Sequence, residues 1–337
     1  MRIRQLHADA PWGGTARQPL PPLSAKWVRA QFDRTDNGAG GRLQTWRRSL
    51  KFWVRCWWRS SALEVSAAAF RDSALDAIAR SQPELALRPL RSYLRRGLDA
   101  ERRARAVQAH FAWLSSRLPM PLIDRLYAGE RVALLEIDSP LPGLGYSLSH
   151  AAGLGREGEL VLHLEWQGHS VMSMAFSVLY AGHVISRADP EHLPGPRIVV
   201  GSLQGMRGAD ARLRELSAAA QRLRASALMV LGVQALTVAW GLGAPLGVAA
   251  ESHVYSGYAS RRRKVELDYD AAWADVGGQR TGRHYWTLPA LPVLRSEAEV
   301  ESRRRAQHRR RNALRVDLIM AVQQTMCRLL GHAPARA

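Results

Sequence analysis

Residues 225 to 250 carry no charged side chain. A run of that length has to be buried, either in a membrane or in a protein core. Gly241-Leu-Gly-Ala-Pro245 interrupts it, and Gln234 and Thr237 lie in its middle. These residues argue against a lipid-spanning helix. The expected solution is a buried helix ending near Trp240, a Gly/Pro turn and a buried strand from Leu246. No transmembrane span is expected.

The rest of the composition supports a folded chain with a strong electrostatic bias. Of 337 residues, 47% are hydrophobic, enough for a sizeable core, and the length suggests two domains or one domain with a large appendage. Lys and Arg number 48 against 29 acidic residues, a formal net charge of +19. Such a balance attracts polyanions, anionic lipid before nucleic acid. An Arg- and Ala-favouring genome would produce part of the same excess, and Lys26, Lys51 and Lys264 are the only lysines. Cys56 and Cys327 belong to no Cys-x-x-Cys pair, and the His residues show no ligand spacing, so no disulfide framework and no metal are expected. The first ten residues lack an apolar h-region. The expectation is therefore a cytoplasmic protein, or one peripheral to the inner membrane.

Hydrophobic periodicity divides the chain into residues 1–42, a Pro- and Gly-rich disordered tail and linker; 43–128, a helical region; 129–330, a mixed core domain; and 331–337, a tail. In the helical region Trp46, Leu50, Trp53, Trp57 and Trp58 recur at three-to-four spacing among Arg47, Arg48, Lys51, Arg55 and Arg59. That pattern fits a basic amphipathic helix lying on an anionic membrane. It fits equally a helix that turns its Trp face to the core, and this is the reading favoured, because any surface helix has such a face. Another helix is expected over Asp99–Leu118, with His110 packed on its inner side. Strands are expected at Val132–Ile137, Tyr146–Ser149, Leu160–Trp166, Val171–Tyr180 and Arg197–Leu203, with a hairpin turn at Gln167-Gly168-His169. One long helix, 210–240, should then lead to a strand over 246–255 lying parallel to 198–203. A helix over 259–276, a strand at His284–Leu288 and a basic helix over 297–330 complete an α+β fold: N-terminal helices, a mixed sheet with a strand-helix-strand crossover, and a C-terminal helix.

Three segments could carry chemistry. Gln204-Gly205-Met206-Arg207-Gly208-Ala209 joins a buried strand to a helix, with Asp210 as the expected N-cap. Gln204, Gly205, Arg207 and Gly208 are candidate ligands for a phosphate or pyrophosphate at the helix N-terminus. The order of elements resembles the acyl-CoA-dependent N-acetyltransferase fold, although the Gly spacing of that family's loop is not met; an ordinary β-to-α turn explains the same residues. His253 and Tyr255, on one side of the expected strand, could act as general base and proton donor, with Glu251 orienting His253, or could simply cap the core. Arg261, Arg262, Arg263 and Lys264 form one candidate anion site, and Arg309, Arg310 and Arg311 another, at the end of a stretch with six Arg in nine residues. Asp268, Asp270 and Asp275 are potential internal partners for these charges.

The ordered series Gly158-Glu-Leu160, Gly201-Ser-Leu-Gln-Gly205, His253-Val-Tyr255, Arg262-Arg-Lys264, Tyr269-Asp-Ala-Ala-Trp273, Gly277-Gly278, Leu288-Pro289, Arg305-Ala306 and Arg309-Arg-Arg311 resembles the VirK/YbjX family. The chain departs from that pattern at Leu223-Arg-Ala-Ser226, where the family usually has Leu-Arg-Pro-Lys. The resemblance implies a Gram-negative bacterial protein linked to virulence, outer-membrane or lipid A homeostasis and tolerance of antimicrobial peptides, with no firmly attached biochemical activity. Two classes of function follow. One is a transferase using an acyl-CoA-type donor at 204–210, with His253 and Tyr255 as the proton-transfer pair. The other is a non-catalytic protein that binds anionic lipid or RNA through its basic helix. A cleft between the two parallel strands would favour the first; a fully paired sheet would favour the second.

Overall fold

The computed structural model describes residues 42–71, 73–135, 139–180, 195–257, 267–294, 296, 298 and 300–331, with side chains from residue 50 onward. The N-terminal part is helical: α1 (Arg42–Trp58), α2 (Ser60–Ala68), α3 (Asp76–Ser81), α4 (Ala100–Arg117) and α5 (Met120–Tyr127). The Asp99 carboxylate caps α4 by accepting from the Arg102 N–H. His110 of α4 lies fully inside the core, where its Nδ1 accepts from the Val178 N–H at 3.1 Å. Burial lowers its pKa to about 3, so it packs as a neutral ring.

Among the described residues eight strands form one sheet in the order β1-β2-β3-β4-β5-β6-β8-β7. They are β1 (Val132–Leu135), β2 (Leu144–His150), β3 (Leu160–Trp166), β4 (His169–Tyr180), β5 (Pro196–Gly205), β6 (Gly243–Val248), β7 (Gln279–Thr281) and β8 (Tyr285–Thr287). The alternation in β3 decides which side is buried. Leu160, Leu162, Leu164 and Trp166 enter the core, while His163 and Glu165 join a polar row on the other face. There Ser149 Oγ meets His163 Nε2 at 2.8 Å, and Ser147 Oγ donates to Glu165 Oε1 at 2.7 Å. Gln167 and Gly168, both at positive φ, make the two-residue turn from β3 to β4.

The β5–β6 pair is parallel, as the crossover between them requires. The crossover is two helices, α6 (Asp210–Ala219) and α7 (Ala225–Ala239), rather than the single helix expected over 210–240. The chain breaks where Gln221 and Arg222 take φ of 54° and 64°. Ala225 holds the first position of α7, where the family pattern has a proline; a proline is tolerated there because that N–H has no partner within the helix. The uncharged run is thus α7, a turn and β6. Gly232 lets α7 come close to Tyr146 and Leu162, and the Tyr146 hydroxyl donates to the Leu228 carbonyl at 2.6 Å. Among the described residues no helix is long and apolar enough to cross a membrane.

Two further helices complete the fold: α8 (Tyr269–Asp275), and the long α9 (Ser302–Leu329), which packs along α7. Gly277 and Gly278 end α8. Gly277, at φ 85°, donates to the Ala274 carbonyl and Gly278 to that of Trp273, which is the Schellman arrangement. Among the described residues the main hydrophobic core runs from Cys56 of α1 to Met326 of α9, and Ala151, Val161 and Ala175 form a small second cluster.

The Trp face of α1 is not where the favoured reading placed it. Cys56 is buried and Phe52 half-buried, while Trp57 and Trp58 are 70% and 79% exposed. The periodicity was compatible with either side facing inward, and the smaller Phe52/Cys56 side is the one that packs.

Candidate functional site

The parallel strands pair only from Arg197/Gly243 to Val200/Gly247 and then separate. Helix α8 sits in the opening. The Tyr269 hydroxyl accepts from the Leu203 N–H at 3.1 Å, and the Trp273 indole N–H donates to the Val248 carbonyl at 2.9 Å. The Tyr-x-x-x-Trp spacing places these two side chains one helical turn apart, each satisfying a backbone group that the diverging strands leave unpaired. Gly247 makes room for this, since a Cβ there would lie 2.7 Å from the Trp273 ring.

Beside this opening the loop that enters β3 crosses β5. It approaches so closely that a Cβ on Gly201 would collide with the Glu157 carbonyl oxygen, and one on Gly158 with the Phe176 backbone. The loop delivers two buried carboxylates to different surroundings. Glu159 accepts from Arg88 Nε and Nη2 at 3.1 and 3.3 Å. Glu157 Oε1 accepts from the Gln204 amide at 3.0 Å and lies 3.6 Å from His253 Nε2. Burial raises the Glu157 pKa to about 7, with Ser202 and Gln204 partly offsetting it. Burial lowers that of His253 to about 4. His253 Nδ1 faces the Tyr255 N–H at 3.4 Å, so the neutral ring carries its proton on Nε2, toward Glu157. Glu157 Oε2 and His253 Nε2 are buried and have no hydrogen-bond partner among the described residues. Tyr269 closes the group, its ring 5.2 Å from that of His253.

The structure therefore brings His253 and Gln204 together, but through Glu157, which the sequence reading missed. Two acidic residues flank Gly158 immediately before a strongly apolar strand, which marks them as neighbours of the core but does not say what either one meets. Several other expectations change. His253 and Tyr255 do not share a strand face, because β6 stops at Val248 and a 3-10 turn, Ala250–Ser252, follows. Their rings instead lie 5.7 Å apart on a turn, with Tyr255 half-buried. Glu251 does not orient His253; it pairs with Arg280 at 3.1 Å. Gly205, Arg207 and Gly208 are exposed. Asp210 is the first residue of α6 rather than its cap; Ala209 occupies the cap and makes no side-chain bond.

Of the candidate anion sites, Arg261, Arg262, Arg263 and Lys264 lie outside the described residues. Arg309 and Arg310 are exposed on α9, but Arg311 turns inward and donates from Nε to the Gln221 carbonyl at 2.9 Å, covering the break between α6 and α7. The acidic residues near α8 are engaged elsewhere: Asp275 with Arg224, Asp270 with Arg280, and Asp268 as the cap of α8. A cleft of about 680 Å³ opens between α7, the end of α8 and α9, and Arg304, His308, Arg311 and Arg315 line its α9 side. Among the described residues no group of three or more His, Cys, Asp or Glu could hold a metal ion.

The fold and this site define a mixed α+β protein built on a largely antiparallel sheet with one parallel crossover, and with two buried carboxylates beside it. A family described as "Protein of unknown function (DUF535)" matches residues 41–324, and the chain belongs to that family, the VirK/YbjX family of the motif series. Among curated proteins it is similar to "Uncharacterized protein YbjX" of Escherichia coli (strain K12), 34% identical over 85 residues. That match spans 25% of this chain and 26% of the relative. No solved structure matches.

Proposed function

We propose that the protein is a transferase with an acetyltransferase-like core, using an acyl-CoA-type donor, and that Glu157 is its general base. The observation that carries this reading is the parallel β5–β6 pair that separates after Val200, with a buried carboxyl of pKa about 7 at the point of separation. The donor loop would be 204–210: its exposed Gly205 and Gly208 leave open space around the backbone at the start of α6. A bound acyl-CoA would supply an activated thioester. Glu157 would accept the proton of the acceptor group as its bond to the acyl carbon forms and the carbon–sulfur bond breaks, and would return that proton to the departing CoA thiolate, while Gln204 holds the carboxylate and His253 lies beside it. Tyr269 and Trp273 close the opening between the strands, so an acceptor would have to reach Glu157 from the Tyr255 side. On this reading the protein works in the cytoplasm or at the periphery of the inner membrane and serves outer-membrane or lipid A homeostasis.

The test is mass spectrometry of protein purified from cells, together with calorimetric titration by CoA and acetyl-CoA. A co-purified CoA derivative, and binding that survives Glu157→Gln, are expected. If neither CoA nor acetyl-CoA binds and none co-purifies, the transferase reading is wrong.

A second reading, a non-catalytic protein that binds an anionic lipid or RNA through α9, is favoured by the row of Arg304, His308, Arg311 and Arg315 along the cleft. Its test is co-sedimentation with liposomes or RNA at two salt concentrations. Binding lost in Arg304→Ala/His308→Ala but kept in Glu157→Gln would assign the activity to the cleft.

A further inference from the structure

Among the described residues nothing covers the Trp-rich side of α1. Leu50, Trp53, Val54 and Trp57 recur at i, i+3, i+4 and i+7, so they lie on one stripe of the helix, with Trp58 at its edge. All five are exposed, whereas Phe52 and Cys56 on the other side meet the core. Chains that function alone in water seldom expose so many large apolar side chains together, and three of the five here are Trp, the residue that favours a membrane–water boundary. Lys51 and Arg55 flank the stripe and are themselves exposed. The 17 residues of α1 contain Arg42, Arg47, Arg48, Lys51 and Arg55 and no acidic residue.

Charge selects among the candidate occupants. Residues 1–41 would bring Arg2, Arg4, Arg17, Lys26, Arg29 and Arg34 against Asp9, Asp33 and Asp36, the same sign as the helix. A second copy would bring the same basic helix on a chain of net charge +19. An anionic lipid surface supplies both complements at once: negative headgroups for the cations and an apolar boundary for the Trp, Leu and Val side chains. We infer that α1 is a membrane-docking element that lies in the headgroup plane of an anionic bilayer, with Trp53, Trp57 and Trp58 inserted. This is independent of the transferase and cleft readings.

The experiment is co-sedimentation of the full chain with vesicles of phosphatidylcholine alone and of phosphatidylcholine mixed with phosphatidylglycerol. The variants are Trp57→Ala/Trp58→Ala, Lys51→Glu/Arg55→Glu and, for comparison, Arg309→Ala/Arg310→Ala. Trp57 and Trp58 are the most exposed of the group, so their removal leaves the core intact, which circular dichroism verifies. Wild type should bind the phosphatidylglycerol vesicles and bind phosphatidylcholine far less. Each α1 variant should lose about tenfold or more in partitioning, with Arg309→Ala/Arg310→Ala changed less. Failure of wild type to bind the anionic vesicles would overturn the inference, as would equal sedimentation of wild type and the Trp variant. It would also be overturned if the Trp pair were required for RNA binding, or for self-association in sedimentation velocity, but not for vesicle binding.

Discussion

Glu157 and His253 face each other with 3.6 Å between carboxylate oxygen and imidazole nitrogen, both removed from water, and burial disfavours the charged form of each. Burial keeps the carboxyl protonated to about pH 7 and the imidazole neutral to about pH 4. Near neutral pH the pair therefore exchanges a proton at the carboxyl, not at the ring, contrary to the expectation that His253 is the base.

That inversion makes folding stability depend on pH in a defined way. An acid whose folded pKa is raised imposes its full cost above that pKa, and the cost disappears as pH falls toward the unfolded value. Glu157→Gln should therefore stabilise the protein by about 1–3 kcal/mol at pH 8 in urea unfolding, with the gain shrinking as pH falls from 7 toward 5. The buried His253 works in the opposite direction, costing stability as pH drops through its unfolded value near 6.5 toward 4. His253→Gln should remove that acid-side loss. A pH-independent difference between wild type and Glu157→Gln would show that the carboxyl titrates normally.

The close crossing of the 151–158 loop over β5 depends on Gly201. Gly201→Ala should cost about 2–3 kcal/mol in the same unfolding assay, because the methyl group has backbone rather than a movable side chain in its way. Gly208→Ala has open space around its Cβ and pays only for a positive φ, about 1 kcal/mol. Equal effects at the two positions would contradict the described crossing.

Tyr269→Phe keeps the ring but removes the acceptor of the Leu203 N–H. The variant should lose about 1–3 kcal/mol, the usual cost of an unpaired buried donor, and the Leu203 amide should exchange faster with deuterium. Unchanged exchange at Leu203 would mean that something other than α8 closes the opening between the strands.

Arg88→Met leaves the Glu159 carboxylate buried without its cation and should destabilise by about 3–5 kcal/mol; adding Glu159→Gln should recover most of that loss. Additive losses in the double variant would show that the two residues do not act as a pair.

Much of the sheet was legible because strand alternation reports burial directly. Leu160–Trp166 and the turn at Gln167-Gly168 read correctly, and the length of the crossover implied a parallel pair. What failed lacked a local signal. Gln221 and Arg222 adopt positive φ without a glycine to announce it, so α6 and α7 read as one helix. Ala249 and Ala250 could continue a strand, but the pairing with β5 ends at Gly247 and the chain turns once Ala249 has made its bond to the His284 carbonyl. For α1 the moment shows that a helix has two faces, not which one is buried. Glu157 meets Gln204 and His253 only after the sheet has assembled, and no spacing in the chain encodes that meeting.

Burial at the meeting of Gln204, His253 and Tyr269 makes Glu157 the titrating group of the site. This is tested most directly by carbon-13 NMR of protein labelled at the glutamate carboxyls, with the resonance assigned by its loss in Glu157→Gln. The account predicts a midpoint near pH 7 for Glu157 in the wild-type protein. A midpoint in the ordinary range, about 4.3, would contradict it and remove the acid–base basis of the proposed transferase.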